Sequence, residues 1–389
     1  MMTNSSNFKF AYLVLVCCFI LVVAAKDAKT NNYSSELVAV AVIFRHGDRS
    51  PLASFPTDEY FKNLKDYFPM GLGQLTKKGI QRQYKLGQWL RQKYKGFLNE
   101  SYSNKDIYVQ SSNIDRCLMS ASATLAGLYP PKGDQVWNDE LLWQPIPVHV
   151  GSEAYMRSQD CHKLKKLYKK TLKVYNKVFR ERYLQLFEYI SAYSGFEDVT
   201  IFNVASVRSS MNIYKHYNTS FIPEWIRKID QKTLDFIAAT KYIIPTATQI
   251  LTRLSVGVFY NYLFENLDKF IDSSVTDKPQ KFMLMATHDT TISPILDGMG
   301  LYNMRPIGFS DAFIIELRKT NEGSYFINFL FKSEDKLEQR VLKDCEFDCN
   351  YSAVKKLLKN VTIDLDTRRM ECAERGKMKA IKDGKDDIY

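Results

Sequence analysis

Glu36–Phe44 reads ELVAVAVIF and runs directly into Arg45–Pro51, RHGDRSP. The first nine residues are almost continuously apolar and rich in Val. That pattern predicts a strand covered on both faces, inside a parallel or mixed sheet. At its carboxyl end the chain turns abruptly charged. In open α/β sheets this is where ligands bind. Arg45 and Arg49 flank His46, and Gly47 permits a sharp turn. Guanidinium groups match the planar oxygen pairs of phosphate or carboxylate. Their positive charge also disfavours a protonated imidazole, so His46 can stay neutral in acid and act as a nucleophile. The plainer reading, a structural His between solvated Arg side chains, carries less weight because so many positions of the stretch are specified together.

Working outward, Thr76 caps a helix to about Tyr94, with Ile80, Tyr84, Leu86, Leu90 and Tyr94 at helical spacing. Ile107–Gln110 is a short strand. Ile114–Leu128 is a helix stopped by Pro130 and Pro131, and Ile146–Val150 is a further strand. The order βαβαβ signals an α/β fold. From Cys161 to about Tyr193 the spacing is that of one long helix, with nine Lys or Arg between Lys163 and Arg182. A second helical pattern covers Lys232–Phe270. Strand pattern returns at Lys281, so 151–279 reads as a mainly helical insertion between sheet segments at 34–150 and 280–372. The basic helix reads first as a solvated face, and second as a contact for acidic polymers or membranes. Phe282–Ala286 is an apolar strand ending in Thr287-His288-Asp289-Thr290, with a helix behind it to Gly298. Ala312–Leu317 and Tyr325–Phe331 form a hairpin around Thr320–Gly323.

The composition agrees with a globular chain. Of 389 residues, 45% are hydrophobic and 25% charged, with only 17 Gly and 12 Pro, which excludes a collagen or a mostly disordered chain. The net charge of +11 is modest for this length and admits anionic substrates without requiring them. There are five His and no His, Asp or Glu cluster at metal-ligand spacing, so no metal or other cofactor is expected.

The amino terminus reads as an export signal. Lys9 precedes an uncharged run, Phe10–Ala25, whose sixteen residues are short of the about 20 needed to span a bilayer. Cleavage after Ala25 would make residues 1–25 a signal peptide. No second such run follows, so no membrane anchor is expected, and 373–389 reads as a mobile tail. Sequons at Asn32, Asn99, Asn218, Asn350 and Asn360 make glycosylation available. Cys17 and Cys18 leave with the signal. The remaining five, Cys117, Cys161, Cys345, Cys349 and Cys372, are odd in number, so at least one is free or pairs between chains. Cys345 and Cys349 could close a tight loop, and no second Cys or His pair accompanies them as zinc would need.

RHGDRSP resembles the signature of the histidine acid phosphatases, a family with the phosphoglycerate-mutase-like fold: a mixed sheet flanked by helices, with an inserted helical cap. Gly71–Thr76 with Gly79 is similar to the family's GxGQLTxxG segment. Asp115–Ala121, DRCLMSA, resembles its DRTLMSA helix, with Cys117 in place of Thr. LLWQPIPVH at Leu141–His149 and ATHDTT at Ala286–Thr291 match as well. Within that family the chain resembles the prostatic and lysosomal acid phosphatases of animals. The resemblance is dense over 37–150 and 280–372 and thin across the helical middle.

The resemblance implies that His46 is phosphorylated during turnover, that Arg45, Arg49, Arg116 and His288 hold the phosphoryl oxygens, and that Asp289 protonates the leaving oxygen. It also implies disulfides Cys161–Cys372 and Cys345–Cys349. Cys117 is then a free thiol, read as packing rather than chemistry, because no Arg stands six residues on as a cysteine phosphatase loop needs. His149, His162 and His216 read as structural or exposed. Asp364 and Asp366 superficially suggest an aspartyl-phosphate motif, which Arg368 breaks. The expectation is a secreted or luminal (lysosomal-type) acid phosphatase, metal-independent, acting on a small phosphomonoester or a phosphoprotein. The resemblance also allows a homodimer, and nothing points to nucleic acid. The alternatives are a phytase-like histidine phosphatase, sharing the RHG and HD elements, and a catalytically silent secreted binding protein, against which the complete set of Arg, His and Asp argues.

Overall fold

The computed structural model describes residues 35–151 and 161–373. The expected signal peptide, the sequon at Asn32 and the expected tail from 374 onward lie outside the described residues. One sheet of eight strands organises the fold. Its order is β3 (His149–Val150), β2 (Ile107–Ser111), β4 (Phe282–Thr287), β1 (Ser35–Arg45), β5 (Ala312–Thr320), β6 (Tyr325–Ser333) and β7 (Lys336–Arg340), with β8 (Cys349–Asn350) paired to β6. β1 is central. It runs parallel to β4 and antiparallel to β5. This explains its unbroken apolar run: Val40 to Phe44 are all buried, with alternate side chains entering the cores on opposite faces of the sheet.

The registers position the site. Arg45 is the Cα partner of Thr287 at the end of the parallel β1–β4 pair, and Ser111 of β2 is opposite Ala286. Three neighbouring strands therefore end together: His46 follows β1, Ser112 follows β2 and leads into the helix that carries Arg116, and His288 follows β4. Helix α1 (Lys77–Lys93) and α2 (Asp115–Leu128) pack on one face. Thr76 caps α1 as expected, its hydroxyl accepting from the Gly79 amide at 3.1 Å.

Two expected elements differ in extent. The strand at 146–150 is reduced to His149–Val150. Pro145 and Pro147 have no amide hydrogen for a ladder, so pairing begins only after them. The single long helix at 161–193 is divided at Tyr183 into α3 (His162–Arg182) and α4 (Leu184–Ser194). The break lets Phe187 and Ile190 of α4 join the same apolar cluster as Phe179 and Tyr175 of α3. That cluster is completed by α5 (Ile201–Tyr217) and α6 (Gln231–Ile243). Pro245 separates α6 from α7 (Gln249–Ile271) through one 3-10 turn. Helices α3 to α7 thus occupy the chain between β3 and β4. Beyond β4 come α8 (Asp289–Gly298), the β5–β6 hairpin, α9 (Tyr351–Leu358) and α10 (Leu365–Cys372). Disulfides join Cys161 to Cys372 and Cys345 to Cys349. The first ties the cap of α3 to the last turn of α10. Asp364 caps α10, its carboxylate accepting from the Thr367 amide at 2.8 Å, which gives that acidic pair a structural role.

Candidate active site

The loop after β1 is held by backbone from the Gly71–Thr76 segment. The Ser50 amide donates to Gln74 O at 2.9 Å, the Gly73 amide to Pro51 O at 3.1 Å, and the Thr76 amide to Asp48 O at 2.9 Å. Gly71 and Gly73 have φ of 89° and 65°, the left-handed region that glycine enters without penalty. Gly47 has another purpose than the expected sharp turn. A Cβ there would stand 2.5 Å from the Gly79 carbonyl oxygen, and one on Gly79 would stand 2.2 Å from that of Asp48. The pair of glycines lets the loop lie directly on the first turn of α1. Two further side chains secure it: Gln83 donates to Arg45 O at 2.8 Å, and Ser120 Oγ accepts from the Gly47 amide at 3.1 Å.

His46 is 2% exposed. The Gly47 carbonyl, which can only accept, lies 2.9 Å from its Nδ1, so the proton of the neutral ring sits there and Nε2 keeps its lone pair. Burial holds the imidazole well below its ordinary pKa, and Arg45, Arg49, His288 and Arg116 push the same way. All five residues therefore share one small space. The His46 and His288 rings meet edge to face at 5.4 Å, and Arg116 Nη2 lies 3.5 Å from His288 Nδ1. Arg45 donates to Ile307 O at 2.6 Å, stacks on Phe309 at 4.4 Å and contacts Asp289 Oδ2 at 2.7 Å. The Nε atoms of Arg45 and Arg49 are buried without a hydrogen-bond partner among the described residues. Burial together with Arg45 and Arg116 lowers the Arg49 pKa to about 9. So much concentrated positive charge suits an anion with several oxygens.

Asp289 opens helix α8 directly after His288. Burial opposes its ionisation, but Arg45, Lys241 and the Tyr242 hydroxyl together hold the carboxyl well below the usual range. The structure thus brings together Arg45, His46, Arg49, Arg116, His288 and Asp289, the whole set named from the sequence. Cys117 is buried, and its sulfur lies 3.5 Å from His288 Nε2. His149 and His162 are exposed, away from this cluster, and the half-buried His216 touches the outer side of Phe309 at 6.2 Å. Among the described residues no three His, Cys, Asp or Glu side chains group as metal ligands would.

Sequence reasoning missed four contributors. Tyr242 donates to Asp289 Oδ2 at 2.8 Å, and Lys241 beside it adds charge. Both belong to α6, where no motif marks them. Phe309 and Asp311 follow no recognisable pattern either. The Asp311 carbonyl accepts from the Arg45 amide at 2.9 Å, and burial pushes its carboxyl up to about 6.

A family model described as the histidine phosphatase superfamily, branch 2, matches residues 36–314. Prostatic acid phosphatase of Rattus norvegicus is 31% identical over 338 residues, covering 84% of this chain and 86% of that protein. Lysosomal acid phosphatase of Xenopus laevis is 32% identical over 329 residues, covering 81% of this chain and 74% of that protein. Among solved structures, the phytase from Citrobacter braakii superposes with a TM-score of 0.62 at 16% identity, covering 87% of this chain and 99% of that one, a likeness of fold alone. A parallel strand pair that delivers two histidines into a ring of arginines, and relatives aligned over most of the chain, lead to one assignment: this chain belongs to branch 2 of the histidine phosphatase superfamily.

Proposed function

We propose that this chain is an acid phosphatase that hydrolyses phosphate monoesters through a phosphohistidine on His46. The observation that carries the reading is the neutral, buried His46, with Nε2 unprotonated, inside the group of Arg45, Arg49, Arg116 and His288 and beside Asp289. These cations hold the phosphoryl oxygens and disperse charge in the transition state. His46 Nε2 forms a bond to phosphorus as the ester P–O bond breaks. The leaving oxygen takes its proton from Asp289. Water then attacks the phosphohistidine, giving a proton to the Asp289 carboxylate. The P–N bond breaks, and inorganic phosphate leaves.

The ionised state of Asp289 in the free protein bears on the pH range. An arriving phosphate competes for Arg45 and brings negative charge to the carboxylate, and both effects raise the Asp289 pKa. Protonation before reaction therefore favours acid medium, while His46 remains neutral there.

Secretion or delivery to a lumen is supported by the apolar run at Phe10–Ala25, by exposed sequons at Asn99, Asn218, Asn350 and Asn360, and by the two disulfides. Among the described residues no helix is long and apolar enough to cross a membrane. In this reading 151–279 acts as a cap over the sheet, contributing Lys241 and Tyr242. A homodimer is supported by exposed Trp137, Leu142 and Trp143 near the open edge strand β3.

The test is phosphate release from an aryl phosphate across pH 3–9, with and without EDTA, beside His46→Ala. Acid activity that survives EDTA and disappears in the variant supports the proposal. Activity indifferent to His46 would overturn it, and no activity at all would favour the binding-protein alternative.

A further inference from the structure

Helix α3 carries nine Lys or Arg against the single acid Glu181, a net +8 within a chain of net +11. The charge of this protein therefore lies mostly on one helix. At 3.6 residues per turn, Lys165, Lys166, Lys169, Lys170, Lys173, Lys177 and Arg180 fall within an arc of about 140° and extend about 22 Å along the axis. All seven are exposed; Arg180, at the end of the row, is paired with Asp198, so the six lysines form the body of the ridge. The opposite face is already in use: Leu164 and Leu167 pack beside the Cys161–Cys372 disulfide, and Tyr175, Phe179 and Tyr183 pack on the α4–α6 cluster. The row is thus a fixed ridge on the surface.

We propose that this ridge binds a linear polyanion, a sulfated or carboxylated polysaccharide. Three observations select that partner. The apolar face of α3 packs on the protein through Leu164, Leu167, Tyr175 and Phe179, which leaves only Val174 and Val178 exposed, too little apolar surface to enter a bilayer as an interfacial helix requires. The arc contains no aromatic side chain on which bases would stack, its only uncharged members being Asn176 and His162. Six of its seven cations are Lys, flexible point charges that follow the charge density of a polymer and do not impose the bidentate geometry on single groups that Arg does. Like charges so close together repel one another, and a polyanion laid along them relieves that repulsion while releasing its own counterions.

The probe is heparin. Binding of the full secreted chain to immobilised heparin is compared with that of a quadruple variant, Lys165→Gln, Lys169→Gln, Lys173→Gln and Lys177→Gln. A control quartet, Lys62→Gln, Lys105→Gln, Lys356→Gln and Lys359→Gln, removes the same charge from exposed positions elsewhere. The ridge variant loses at least about tenfold in affinity and the control does not, because binding depends on how many cations contact the polymer and not on net charge. In the unaltered protein, heparin shields the ridge lysines from amine acetylation, a readout that needs no variant. Equal losses in both quartets, no shielding, or tighter binding of the ridge to duplex DNA or to phosphatidylserine vesicles than to heparin would each overturn the proposal.

Discussion

The hydroxyl of Tyr242 donates at 2.8 Å to the same oxygen of Asp289 that Arg45 contacts at 2.7 Å. A donor to a carboxylate favours its ionised form. Removing the hydroxyl therefore raises the Asp289 pKa. With Asp289 as the proposed acid, Tyr242→Phe extends activity toward higher pH. The alkaline limb of the kcat profile moves up by about one pH unit, the scale expected from a hydrogen bond to a charged group. A pH–kcat series on an alkyl phosphate measures this, since a poor leaving group makes protonation matter most.

Asp311 supplies a second pH dependence, in stability. Burial raises its carboxyl to about 6, above the ordinary value near 4. A raised folded-state value means that the native protein binds this proton more tightly than the unfolded chain. The resulting stability is complete below about pH 4 and lost as pH rises through about 6, an effect of about 3 kcal/mol. Asp311→Asn keeps an acceptor for the Gly308 amide and removes the titration. Denaturant unfolding at pH 4 and pH 7 should show the larger loss in the unaltered protein and a flatter response in the variant.

Gly79→Ala tests the contact between loop and helix. Its Cβ would stand 2.2 Å from the backbone oxygen of Asp48, which no rotamer change can relieve. The loop carrying His46 must shift, at a cost of about 1–3 kcal/mol. Ala is otherwise the better helix former, so a lowered melting temperature together with a lowered kcat would point to the contact. A more stable variant with full activity would contradict it.

Cys161 and Cys372 are 211 residues apart in the chain. Constraining so long a loop in the unfolded state stabilises the fold by about 2–5 kcal/mol. The double variant Cys161→Ser and Cys372→Ser should lose that much in denaturant unfolding. Aryl phosphate turnover below the transition should change little, because neither sulfur adjoins the residues around His46.

What was legible in the sequence followed from local rules. An apolar run ending in RHGDRSP announces a buried strand with a charged edge, and THDT repeats the device on β4, which marks five of the site residues, while Arg116 is legible through the resemblance of DRCLMSA to the family's helix. What was not legible depended on packing between distant elements. Tyr242 lies in a helix whose spacing reports only which face is buried. The reduction of β3 was readable in principle from Pro145 and Pro147, whereas the division at Tyr183 has no Pro or Gly to signal it. Gly47 illustrates the limit most clearly: its necessity is visible in the sequence, but the reason is the Gly79 backbone, 32 positions away.

The central place of β1 has a consequence for biosynthesis. Its parallel partner β4 follows about 240 residues later and its antiparallel partner β5 later still. At typical elongation rates of about 5–20 residues per second, the VAVAVIF segment leaves the ribosome roughly ten seconds or more before either neighbour exists. During that interval it is a β-prone, uncharged stretch of the kind that self-associates. A truncated product ending before Thr287 would contain the proposed nucleophile and lack its setting, so nascent fragments should be inert toward substrate and dependent on chaperones for solubility.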